Sequence, residues 1–126
     1  MEYLLDTNVL IYFVNGSLNR EQERLVKDIL NDSFNISILT KIEFLGWSGH
    51  TEDGYLKSAS FAERANVFFI DDEIFNTTIG IKRRHKIKLV DSIICATALV
   101  HGFELVTRNV SDFESIENLR LLNPLV

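Results

Sequence analysis

Leu4-Leu5-Asp6-Thr7-Asn8-Val9-Leu10-Ile11 passes from one backbone form to another within a few residues. Met1 to Leu5 reads as a short buried strand, with Asp6 at its carboxyl end. Thr7 and Asn8 then open a helix that stays apolar through Leu10, Ile11, Tyr12, Phe13 and Val14. In open α/β sheets, ligands bind beyond the carboxyl ends of the strands. A carboxylate followed by two short polar side chains makes that corner rich in oxygen, the donor that hard divalent cations such as Mg²⁺ take. The same residue types also cap helices, so the corner by itself leaves both roles open.

Outward from this corner, the chain alternates between two periodicities. Asn15-Gly16-Ser17 is a turn, and Leu25, Val26, Ile29 and Leu30 give Asn19 to Asn31 a helical apolar face. Phe34 to Ile38 alternates as a strand does, and Thr40 then opens a helix carrying Glu43, Phe44, Leu45 and Trp47. His50 to Gly54 reads as a polar loop and Tyr55 to Ala65 as a helix. Val67 to Ile70 is a continuous apolar run, expected of a strand covered on both faces. Asp71-Asp72 caps a helix from Glu73 to His85. Leu89 to His101 is the most apolar helix, stopped by Gly102. Glu104 to Val106 is a strand, a helical turn spans Asp112 to Glu117, and Leu119 to Leu122 is a last edge strand. Strands alternating with helices predict an α/β fold: a three-layer α/β/α sandwich around a mostly parallel sheet of four to five strands.

With 126 residues, 46% hydrophobic and 25% charged, and one proline, residues 1–126 are expected to form a single domain. No basic segment followed by an apolar one opens the chain, so no secretory leader is expected. The apolar run Ile93 to Val100 is too short to span a bilayer. The single cysteine, Cys95, sits among apolar residues and reads as a small buried hydrophobe; a cytoplasmic protein follows.

Net charge is −5, unevenly spread. Lys82, Arg83, Arg84, Lys86 and Lys88 crowd one segment, leaving eight basic residues to face 18 acidic ones elsewhere. A basic segment on an acidic body can hold nucleic-acid phosphates locally. The plainer reading is that these cations answer a helix C-terminal dipole, and the two are compatible.

Four carboxylates fall where strands end or helices begin: Asp6, Glu43, Asp91 and Asp112. In a parallel sheet these positions share one edge, so acids far apart in sequence can converge there. Each also has a local structural reading. Thr40-x-x-Glu43 and Ser111-x-x-Glu114 fit capping boxes, and Asp91 suits a helix start. Asp91, however, lies in a largely apolar helix, where an unpaired carboxylate is costly to bury unless a cation or base stands by it. Other chemistries fit worse. The three histidines show no zinc-ligand spacing, and no phosphate-binding glycine motif or nucleophile elbow occurs. His85 reads as solvated, Trp47 and Phe44 as core or partner-facing, and the Phe68-Phe69 pair as core.

Leu5-Asp6-Thr7-Asn8, Glu43, Asp91 in its Ile/Ala-rich helix and Thr107-Arg108-Asn109-x-x-Asp112-Phe113 together resemble the PIN-domain ribonucleases, and more narrowly the VapC-type toxins of toxin–antitoxin pairs. The resemblance implies a metal-dependent endoribonuclease in which Asp6, Glu43, Asp91 and Asp112 surround Mg²⁺ or Mn²⁺, with Asp6, Asp91 and Asp112 as ligands. Thr7, Asn8, Thr107 and Asn109 would support the site. Asn109 stands where some members carry a further aspartate, so a second tightly held metal is not implied. The resemblance also implies a homodimer, an RNA substrate and a small antitoxin. Leu10, Phe13, Val14, Phe44, Leu45 and Trp47 are candidate anchors for that partner, although core burial is the competing reading for each. Two rivals remain: a phosphatase-like fold, which would want a second aspartate at Asn8, and a PIN-like binding module without turnover.

Overall fold

The computed structural model describes residues 2–126. Met1, expected to begin the first strand, lies outside the described residues. Strand β1 (Tyr3–Leu5) puts two fully buried leucines on opposite faces of the sheet. Leu4 packs into one hydrophobic cluster and Leu5 into another. Burying each such side chain stabilises the fold by about 1.5–3 kcal/mol. Both faces of β1 must therefore be covered, and two helical layers cover them.

Helix α1 (Thr7–Val14) follows β1 with no intervening loop, Asp6 serving as its N-cap. Helix α2 (Arg20–Asp32) opens on a complete capping box between Asn19 and Gln22. Strand β2 (Asn35–Ser37) runs directly into helix α3 (Ile38–Leu45). Helix α4 (Glu52–Ala62) and strand β3 (Asn66–Phe68) come next, then helices α5 (Asp72–Arg84) and α6 (Leu89–His101). Strand β4 (Glu104–Val106), a 3₁₀ turn (Val110–Asp112) and strand β5 (Leu121–Leu122) complete the chain.

All strand pairs are parallel, in the order β3-β2-β1-β4-β5. The expected three-layer α/β/α sandwich is what forms. Leu4 lies beside Leu105 and Leu5 beside Val106, so β1 and β4 feed both cores in step. The Leu4 side is covered by α5 and α6 and the Leu5 side by α1 and α2, with α3 and α4 adding Phe44 and Ala62. Helix α6 is buried continuously from Ser92 to Ala98. Its polar side chains there are spent internally: Ser92 donates to the Leu89 carbonyl and Thr97 to that of Ile93. Gly102, at φ 69°, ends it in the left-handed conformation that glycine adopts without strain.

Four local expectations are corrected. Thr40 does not cap α3. Ser37 does, its hydroxyl accepting the Leu39 N–H at 3.1 Å, because β2 passes into the helix without a loop. Glu43 thus falls in the second turn, and Trp47 lies beyond the helix. Thr51 caps α4 from within the segment expected to be a loop. The apolar run Val67 to Ile70 is only partly strand: in the edge strand β3, Val67 packs on one core and Phe68 on the other, each partly buried, whereas Phe69, 67% exposed, and Ile70 lie beyond the strand and outside the core. Last, the 3₁₀ turn begins without a side-chain cap, so Ser111 and Glu114 form no capping box there.

Candidate active site

In the order β3-β2-β1-β4-β5, the chain winds outward from β1 through β2 to β3, then returns to place β4 on the other side of β1. The crevice beyond β1 and β4 is the switch point at which ligands bind in such sheets. Asp6 and Thr107 stand there, one residue past each strand. The Thr107 hydroxyl donates to Asp6 Oδ2 at 2.9 Å, and the Thr7 N–H donates to Oδ1 at 2.8 Å. The Asn109 N–H donates in turn to the Thr107 hydroxyl at 3.0 Å. Asp6 is thus both a helix cap and the centre of a buried polar network.

Glu43 reaches the same crevice from α3, where its Oε1 accepts the Thr7 hydroxyl at 2.7 Å. Asp91 enters from the first turn of α6. Asp6, Thr7, Asn8, Glu43, Asp91 and Asn109 line one cleft of about 460 Å³, joined by Ile11, Gly46, Trp47 and Ser48. Asp112 does not line it. It sits exposed at the end of the 3₁₀ turn, but its charge acts on Asp91.

The electrostatics show how closely the four acids are related. Burial raises the Asp6 carboxyl above its ordinary range; the Thr7 and Thr107 hydrogen bonds pull it down, and the charges of Asp91 and Glu43 push it up. Burial also raises Asp91, with Asp112 and Glu43 adding to the effect and Lys88 opposing it. Cys95 is fully buried as expected, its thiol pushed up to about 12 by burial and by the charges of Asp91 and Asp6.

These side chains suit a hard cation. The cleft presents carboxylates, hydroxyls and amides, with no imidazole or thiol. Among the described residues, no three His, Cys, Asp or Glu side chains gather into a group that would hold a metal ion unaided.

The basic run is not gathered into the cleft. Lys82, Arg83 and Arg84 occupy the last turn of α5, where they answer the helix dipole, and Lys82 donates to the Ile87 carbonyl at 2.7 Å. Lys86 is exposed in the connection, and Lys88 acts on Asp91. Of the partner anchors, Leu10 and Phe44 are fully buried and cannot meet another chain: the apolar stripe of α1 and α3 is the protein's own core. Phe13 and Leu45 are half-buried against that core. Val14 and Trp47 instead line a groove of about 390 Å³ with His50, Lys57 and Phe61. Trp47 also lines the acidic cleft, so the two depressions adjoin. Ser48 and Gly46 had no signal in the sequence.

Residues 3–119 match the PIN domain family. Ribonuclease VapC1 of Methanocaldococcus jannaschii is 31% identical over 125 residues, covering 94% of this chain and 83% of that protein. Ribonuclease VapC1 of Haemophilus influenzae strain R2866 is 28% identical, covering 95% of this chain and 96% of its own. Among solved structures, a toxin–antitoxin complex from Klebsiella pneumoniae superposes with a TM-score of 0.79 at 29% identity, covering 97% of both chains. VapBC-1 from nontypeable Haemophilus influenzae gives a TM-score of 0.78 at 26% identity over 98% of each. Over nearly its whole length, then, the chain is a member of the PIN-domain family and, within it, of the VapC ribonucleases.

Proposed function

We propose that this chain, as a single domain over residues 1–126, is a Mg²⁺- or Mn²⁺-dependent endoribonuclease and the toxin of a toxin–antitoxin pair. Membership among the VapC ribonucleases supports the reaction class. The observation that carries the site assignment is Asp6, buried at the switch point, bound by Thr107 from 101 residues away and charge-coupled to Glu43 and Asp91.

Asp6, Asp91 and Asp112 would hold the ion, Asp112 from beside the cleft, where its charge already acts on Asp91. A bound divalent cation supplies Lewis acidity toward the phosphoryl oxygens and lowers the pKa of a water. The Thr7 N–H and the Thr107 hydroxyl fix the Asp6 carboxylate so that one geometry is presented. Thr7 similarly fixes Glu43 at the cleft wall. Asp91 or Asp112 orients water for in-line attack on the phosphorus, with Asn8 and Asn109 hydrogen-bonding around the site. Because water attacks and not the ribose 2′-hydroxyl, the products carry 5′-phosphate and 3′-hydroxyl ends.

The basic segment from Lys82 to Lys88 attracts the RNA backbone toward the α6 side, Lys88 being nearest in effect. An antitoxin segment occupies the groove at Val14 and Trp47, and from there a basic side chain reaches the neighbouring carboxylates. Among the described residues, no helix is long and apolar enough to cross a membrane, and we assign the protein to the cytoplasm.

The chain acts as a homodimer through α5. Its exposed face runs Asp72, Phe75, Ile79, Arg83, with Phe75 57% and Ile79 44% exposed. Acids at the N-terminal end and bases at the C-terminal end make that face complementary to an antiparallel copy of itself.

The deciding experiment incubates purified protein with RNA, with Mg²⁺, with Mn²⁺ and with chelator. Metal-dependent cleavage leaving 5′-phosphates is expected. Cyclic 2′,3′-phosphate products, or cleavage that persists in chelator, would overturn the mechanism.

A further inference from the structure

Between Thr107 and Asn109, both in the polar network of the site, stands Arg108, a residue that neither metal binding nor the basic run accounts for. Its backbone is pinned on several sides. The Thr107 N–H donates to the Leu122 carbonyl at 2.9 Å, the Asn109 N–H to the Thr107 hydroxyl, and the Asn123 side-chain amide to the Arg108 carbonyl at 3.4 Å. The side chain is exposed yet not loose. Its guanidinium carbon lies 5.1 Å from the centre of the Tyr12 ring, and Nη1 donates to the Tyr12 hydroxyl.

What holds Arg108 is as informative as where it is. The chain has 18 acidic residues, yet Arg108 is in neither of the ion pairs formed among the described residues. Its support is a neutral phenol, so the positive charge is fixed in place and left without a counterion. Tyr12 lies four residues beyond Asn8, which lines the acidic cleft; that is about one turn, or 6 Å along the helix. A phosphate approaching a cleft walled by Asp6, Glu43 and Asp91 meets repulsion on nearly every side. A fixed guanidinium at the rim offers an attractive contact there, and its planar fork matches two phosphate oxygens.

We propose that Arg108, held by Tyr12, is a subsite for an RNA phosphate flanking the bond that is cut. Arg108 touches the substrate, whereas Tyr12 is a positioning residue that sets the angle of the fork and reduces the entropy lost on binding. The subsite lies on the β4–α1 side of the cleft, whereas Lys88 lies at the start of α6. The RNA strand therefore crosses the cleft between two cations. This inference rests on the ribonuclease reading above.

The test measures binding of a single-stranded oligoribonucleotide by fluorescence anisotropy across a range of salt, in an Asp6→Asn background that prevents cutting. Arg108→Ala should weaken binding about tenfold, the scale of one hydrogen bond to a charged group. It should also flatten the salt slope by about 0.7, the value for one phosphate of a single strand. Arg108→Lys should keep the slope and recover only part of the affinity, since it keeps the charge and loses the fork. Tyr12→Leu should keep the slope and weaken binding. In the otherwise unaltered enzyme, the effect of Arg108→Ala should fall on KM more than on kcat. An unchanged slope and affinity in Arg108→Ala, with RNA still bound and cut by the parent protein, would overturn the subsite alone. Should Arg108→Ala lower the melting temperature, the lysine variant decides: restored folding without a restored slope means a structural role and overturns the proposal. A parent protein that neither binds nor cuts RNA removes the ribonuclease reading and the subsite with it.

Discussion

Asp6 fills both roles that its position in the sequence suggests, accepting the Thr7 N–H as a cap does and the Thr107 hydroxyl as a member of the site. Its cost is electrostatic. Burial and neighbouring charge raise both Asp6 and Asp91 above the ordinary carboxylate range of about 4. A carboxyl whose folded pKa is raised binds its proton more tightly in the folded chain. Between the unfolded and folded pKa values the native state therefore holds more protons, and stability falls as pH rises through that window. Above it both groups are ionised, and the metal-free chain carries the penalty in full. Asp91→Asn removes one charge, so the metal-free variant should melt higher than the parent at neutral pH. Its cleavage rate should nevertheless fall at least about 10²-fold, because metal charge stabilisation is worth several kcal/mol. Mg²⁺ should raise the melting temperature of the parent more than that of the variant. Thermal melts with and without Mg²⁺ give the answer, and a metal-free variant that melts lower would mean that the Asp91 charge supports the fold. Because a bound cation favours the ionised carboxylates, the acid limb of cleavage should lie at higher pH with limiting Mg²⁺ than with saturating Mg²⁺.

Secondary-structure elements were legible where one signal dominated. Helix α6 begins and ends where the sequence places it, because it is apolar on every side and Gly102 gives it an unambiguous stop. The sequence places the cap of helix α3 three residues late because Thr40-x-x-Glu43 imitates a capping box, while the true cap, Ser37, lies within the strand pattern. The consequence for Thr40 is physical. Its hydroxyl is fully buried and, among the described residues, has no hydrogen-bond partner. Ser37→Ala should therefore cost about 1 kcal/mol, the usual value of a lost N-cap. Thr40→Val keeps the shape and removes an unsatisfied polar group, so it should be neutral or stabilising. Urea denaturation of both variants checks the pair; the reverse ranking would restore Thr40 as the cap. The edge placement of β3 was not legible, since a short apolar run does not show where its strand ends: Val67 and Phe68 pack on the two cores, while the equally apolar Phe69 and Ile70 are exposed.

For the molecule as a whole, the sequence named the acids but not the surfaces, because grooves are made by residues that meet only after folding. Candidate anchors Leu10 and Phe44 share the apolar character of Val14 and Trp47, and burial alone separates them. Two surfaces then ask for occupants of different kinds. The α5 face, with its acid-to-base polarity, suits a second copy. Ile79→Glu, at the centre of that face, should shift light-scattering mass from dimer to monomer with the fold intact; a dimer that survives it uses another face. The groove at Val14, Trp47 and Phe61 differs, since it runs into the acidic cleft through the shared Trp47. A partner seated there can block the cleft without competing for the α5 face, so inhibition and dimerisation should be separable. Val14→Asp, at the opposite end of α1 from Asp6, should weaken inhibition by the co-expressed neighbouring small protein while leaving RNA cleavage in place. Trp47→Ala should weaken that inhibition too, but also disturb the cleft. Growth arrest by the protein alone, relief by its neighbour and loss of that relief with Val14→Asp is the expected sequence of results. Relief that persists in Val14→Asp would place the partner elsewhere, and a harmless parent protein would refute the toxin assignment while leaving the nuclease chemistry to be judged on RNA.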